Sequence, residues 1–82
     1  MIMTMVTSEM VKEILATKTR RDWVRNNATV EELKSKMLSG KWIPDLDPIA
    51  IGNSLIRSGH HRLTAIAELD RPVEVLFWYT HD

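Results

Sequence analysis

The sequence predicts an α+β fold, three helices on a short mixed sheet, and three observations carry that prediction. Apolar residues recur at helical spacing in three separate segments. Short β-branched runs lie between and after them, the last being Val73 to Tyr79. Pro44, Pro48 and Pro72 fall between these runs and not inside them. The expected order is helix, helix, strand, strand, helix, strand, in one domain of 82 residues.

The first helix opens at Thr7-Ser8-Glu9, where either hydroxyl can cap and Glu9 suits the positive end of the dipole. Met10, Val11, Ile14 and Leu15 then share a face, and the pattern ends near Lys18. Met1 to Val6, ahead of it, is apolar and is expected to be a flexible or partly packed tail. From Lys18 to Asn27 the chain either extends the helix or forms a loop.

Thr29-Val30-Glu31-Glu32 reads as a capping box for the second helix, with Val30, Leu33 and Met37 on its apolar face. Gly40 suits the left-handed position beyond its end. Ile49-Ala50-Ile51, Gly52-Asn53 and Leu55-Ile56 read as a hairpin with a two-residue turn, Pro48 standing where a strand begins. Leu63, Ile66 and Ala67 give a third helix from about His60 to Leu69. Val73 to Tyr79 follows as the last strand, apolar on both faces near its end and therefore expected either to be buried on both or to present Trp78 to a partner.

Composition narrows the function. Without cysteine there is no disulfide, thiolate zinc site or cysteine nucleophile, and a cytoplasmic location is the expectation. No apolar run approaches the roughly 20 residues of a membrane-spanning helix, and Met1 to Val6 lacks the length and charge of a signal peptide. Lysine plus arginine (11) equals aspartate plus glutamate (11), so any phosphate or nucleic-acid site must be a local patch.

The strongest such patch is Arg57-Ser58-Gly59-His60-His61-Arg62, between a predicted strand and a predicted helix. A helix N-terminus offers unpaired N–H groups and the positive dipole end to an anion. Gly59 allows close backbone approach, Arg57 and Arg62 add charge-assisted bonds, and His60 and His61 can donate or exchange protons. The bland alternative is that Gly59 only makes the turn, one histidine is a core residue, and Arg62 pairs with Glu68, Asp70 or the second helix.

Other candidates are weaker. Arg20, Arg21 and Arg25 around Trp23 form a nucleic-acid patch or, as such runs more often do, a solvated surface with Trp23 tucked into the core. No metal site is expected: His60 and His61 are adjacent, point about 100° apart on a helix, and would need His81. Asp45 and Asp47 are only two carboxylates and read as turn formers.

The stretch Leu55 to Ile66, with Ser58-Gly59-His60-His61-Arg62-Leu63 at its centre and Pro72-Val73-Glu74-Val75 after it, resembles the core motif of ParB/sulfiredoxin-like domains. Upstream, Thr29 to Leu38, then Ser39-Gly40-Lys41-Trp42 and Pro48-Ile49-Ala50-Ile51, is similar to small phage proteins of that superfamily. The resemblance spans roughly Thr29 to Trp78. It implies that Gly59, His61 and Arg62 hold the phosphates of a nucleotide, with magnesium as a possible companion ion. His60 stands where that superfamily carries a catalytic cysteine or a glutamate, so neither chemistry runs through it unchanged. The N-terminal strand and its Asn-Pro-Arg-type motif look absent.

Two functions follow as expectations. One is a phage-borne domain binding a nucleotide or nucleic-acid phosphate through Arg57 to Arg62. The other is a non-catalytic viral regulator or inhibitor that binds a host protein with the same scaffold. A nuclease or NTPase ranks third. A small core, three tryptophans and an apolar last strand also point to a homodimer or a stable partner.

Overall fold

A computed structural model describes residues 2–44 and 48–80. The candidates Asp45, Asp47 and His81 lie outside the described residues. The elements run β1 (Ile2–Val6), α1 (Ser8–Lys18), α2 (Asn27–Leu38), β2 (Ile49–Ile51), β3 (Ile56–Ser58), α3 (His60–Ala67) and β4 (Val73–Tyr79). The four strands form one mixed sheet in the order β1-β4-β2-β3. β1 is antiparallel to β4, β2 is parallel to β4, and β3 is antiparallel to β2. The α+β expectation therefore holds, with one strand more than the sequence suggested.

That strand corrects the expectation of an N-terminal tail. Ile2 to Val6 pairs residue for residue with Phe77 back to Val73, and Val6 is fully buried. The pairing places Ile2, Thr4 and Val6 on the same face as Val73, Val75 and Phe77, because cross-strand partners share a face.

The core lies on that face. Val6, Ile49, Ile51, Ile56, Val73, Val75 and Phe77 of the sheet meet Val11 of α1 and Leu63 and Ile66 of α3. α3 is the central helix, packing on both α1 and α2. Ser8 Oγ donates to the Ala67 carbonyl at 2.7 Å, tying the start of α1 to the end of α3. Glu68, just past α3, takes bonds from Arg25 and Lys34, and these hold its carboxyl below the usual range, the Arg25 bond first.

On the opposite sheet face double burial, the first of the two expectations for β4, does not hold. Trp78, Met3 and Met5 are exposed there and Leu76 is half-buried. The ladder to β2 covers only Phe77 to Tyr79 of β4, and Trp42 supplies a bond further along, donating from Nε1 to the Glu74 carbonyl at 2.8 Å.

Two helix starts separate local from tertiary effects. Thr7 caps α1 as its sequence suggests, accepting from the Met10 N–H. α2 does not start at the Thr29 box: Asn26 is the cap, its Oδ1 accepting from the Thr29 N–H at 3.1 Å. A capping box returns a glutamate to the cap residue's own N–H. Here the Asn26 N–H donates to His61 Nε2 at 3.0 Å, so a residue of α3 does that work. The hairpin turn has two residues, as expected, but is shifted by one: the Gly52 N–H donates to the Leu55 carbonyl at 2.8 Å and encloses Asn53 and Ser54. Gly40 takes the left-handed conformation as expected, at φ 78°.

Candidate functional site

β3 runs directly into α3 through Gly59, and the site is built at that joint. Gly59 sits at φ 95°, the left-handed region that penalises a side chain. An added Cβ would also lie 2.9 Å from Ile49 Cγ1 and 3.1 Å from Arg62 Nη2. Glycine is therefore required twice, by dihedral and by space. Gly59, the cap residue, has no side chain to cap α3, and the first bond of the helix runs from the Leu63 N–H to the Gly59 carbonyl. The N–H groups of His60, His61 and Arg62 precede that bond at the positive end of the helix.

A cleft of about 340 Å³ opens beside this turn. Its lining combines Arg57, Ser58, Gly59, His60 and His61 with Arg20, Asp22 and Trp23 from the 19–26 segment. The sequence left that segment open between helix and loop. It is a loop, and its basic run divides. Arg20 reaches the cleft and pairs with Asp22 at 3.3 Å, while Arg25 binds Glu68 and Asn27. Arg21 is exposed. Of the patch Arg20, Arg21 and Arg25, only Arg20 joins the turn.

The turn is not accessible throughout, and that corrects the sequence reading at two positions. His60 and Arg62 are each only 7% exposed. Arg62 turns back under the turn, its Nη1 donating to the Pro48 carbonyl at 3.2 Å and its Nη2 to Ser58 Oγ at 3.3 Å. It does not pair with Glu68, which Arg25 and Lys34 occupy. These bonds clamp the entry of β2 to the end of β3, the approach that Gly59 makes room for.

His60 packs under Trp23, their ring centroids 4.1 Å apart and their planes within 14°. His61 tilts against the same indole at 5.2 Å and 55°. Both His60 nitrogens and Trp23 Nε1 are buried without a hydrogen-bond partner among the described residues. An unsatisfied buried polar group costs about 1–3 kcal/mol, so this stack holds the loop down at a cost. The sequence suggested an inward Trp23 and one core histidine but not their stacking, because no local pattern connects Trp23 to the distant His60.

Burial pushes the His60 imidazole below its ordinary range, and the nearby His61 and Arg20 push the same way. The unfolded chain therefore takes up this proton more readily than the folded one. The stability contributed by the neutral ring is present above about pH 6.5 and is lost as pH falls from there toward the lowered folded value. Melting temperature is expected to drop between about pH 7.5 and about pH 5.5, above the range in which the carboxylates titrate. His60→Phe keeps a ring against Trp23, removes two unpartnered nitrogens, and is expected to flatten that drop. An unchanged slope in the variant would assign the pH dependence elsewhere.

Among the described residues no group of three or more histidine or acidic side chains is placed to hold a metal. No helix among them is long and apolar enough to cross a membrane. Comparison with family models, curated proteins and solved structures finds no match to this chain.

Proposed function

We propose that this domain binds a phosphate-bearing ligand, a nucleotide or a nucleic-acid phosphate, in the cleft at the start of α3. The observation that carries the reading is the N-terminus of α3, which its cap residue Gly59 leaves without a side-chain cap, beside a cleft bordered by Arg20 and Arg57. First-turn N–H groups and arginines complement an anion together, and neither needs a metal. The resemblance of Gly59, His61 and Arg62 to the phosphate segment of ParB/sulfiredoxin-like domains supports the same ligand class. Arg62 takes a different part here. It braces the turn, and direct contact falls to Arg57, Arg20 and the backbone of the Gly59 to His61 turn. The reading is of a binding domain and includes no catalytic step.

The test is a titration of inorganic phosphate, a nucleoside triphosphate with and without magnesium, and a short single-stranded oligonucleotide. Tryptophan emission reports binding, because Trp23 lines the cleft. Arg57→Ala is expected to weaken binding on the order of tenfold to a hundredfold, as loss of a charge-assisted bond does. Arg21→Ala, outside the cleft, is expected to leave it unchanged. No saturable response to any of these ligands would end the proposal.

A second reading, a non-catalytic regulator that binds a host protein, is favoured by one observation: Trp78 and Met3 stand exposed on the uncovered sheet face. A stoichiometric protein partner lost on Trp78→Ala, with no response to phosphate ligands, would replace the first reading with this one.

A further inference from the structure

The two edges of the sheet are built differently. The β3 edge is blunted: it has three residues, carries Arg57 at its centre, and its register against β2 shifts. The β1 edge has none of these devices. It has five residues, Ile-Met-Thr-Met-Val, without charge, proline or bulge, in unbroken register with β4. Natural sheets protect such edges, because the outward N–H and C=O groups are a template for another strand. Here Ile2, Met3 and Met5 are instead 57%, 42% and 55% exposed along it.

We infer that a second copy of this chain pairs along β1, antiparallel about a two-fold axis through Thr4, so that two four-stranded sheets become one of eight strands. The strand is complementary to itself in that register. Ile2 stands opposite Val6 of the second copy in the register, Met3 opposite Met5, and Thr4 opposite Thr4. The exposed Met3 and Met5 therefore meet on the uncovered face, while Val6 stays buried in its own copy, and the same patch serves both copies, as a two-fold interface requires. Charge does not oppose the pairing: the chain is neutral, with 11 basic and 11 acidic residues. The arrangement also joins the exposed Met3 and Trp78 of each copy into one continuous apolar surface on the uncovered face. A strand pair this short makes a small interface, so association on the order of micromolar is expected.

Sedimentation velocity of the full chain, from low micromolar to about 1 mM, tests this with two double variants. In the inferred register Met3 of one copy faces Met5 of the other, while Met5 stands opposite Glu74 within its own chain. Met3→Lys with Met5→Lys sets lysine against lysine twice across the axis. Met3→Glu with Met5→Lys sets glutamate against lysine. Both place the same lysine opposite Glu74, a favourable pairing, so both are expected to fold alike by circular dichroism. The first is expected to raise the dissociation constant on the order of tenfold or more and the second to preserve the dimer. Thr4→Cys, which supplies the sole cysteine in such a variant, is expected to form an intermolecular disulfide under mild oxidation, since paired strands bring Cα atoms within bridging distance. A wild type that stays monomeric across the range overturns the inference. So does a dimer that both double variants weaken equally, or that neither weakens.

Discussion

Ile66→Ala is expected to lower the stability of this domain by about 2–5 kcal/mol, the range for truncating a large aliphatic side chain in a closed site. Ile66 is fully buried, on the helix that packs on both α1 and α2, and it meets the apolar face of the sheet. A site enclosed from both layers collapses poorly, and that favours the upper half of the range. A domain of 82 residues has a total stability of about 4–12 kcal/mol, so the loss is a large fraction. The melting temperature is expected to fall by about 10 °C or more. Chemical denaturation should show a lower midpoint, with Ile66→Val losing about 0.5–1.5 kcal/mol. An Ile66→Ala protein with an unchanged midpoint would mean that α3 does not pack against the sheet as described.

Arg62→Ala is expected to act on stability before it acts on binding. The side chain is buried and donates to the Pro48 carbonyl and to Ser58 Oγ. Its loss removes the clamp between β2 and β3 and leaves a void beneath the turn, at a cost of about 1–3 kcal/mol from the bonds alone. Buried methylenes of the stem add to that. Arg57→Ala, on an exposed residue of β3, is expected to show the reverse: a small change in melting temperature and a large loss of phosphate binding. Thermal melts and phosphate titrations of the two variants separate the roles. If Arg62→Ala melts like the wild type while losing phosphate binding, Arg62 is a ligand contact and not a brace.

Legibility in the sequence followed the range of the interactions. α1 was readable because both its cap and its apolar face lie within Thr7 to Leu15. α3 and β4 were readable for the same reason: Leu63 and Ile66 keep helical spacing, and Val73, Val75 and Phe77 alternate. Gly59 was legible as a turn, since a strand pattern ends and a helical one begins beside it. At α2 the local signal misled. Thr29 and Glu32 make a valid box, yet Asn26 wins the cap because its N–H has His61 to bond.

The sequence by itself determined the α+β class, the three helices, the apolar inward face of the last strand, and the place of the candidate site. Tertiary structure decided β1, whose alternation is too short to read and whose partner lies at the other end of the chain, Ile2 opposite Phe77. It also decided which residues of the site face the cleft. A basic side chain in a turn reads the same whether it points to solvent or inward. Arg62 is drawn inward by the Pro48 carbonyl, and Arg20 is brought to the cleft by the stacking of Trp23 on His60. Those contacts form only when distant segments meet, so no window along the chain encodes them. Local periodicity specifies elements, and the closing of the sheet and helices specifies which polar groups remain available to a ligand.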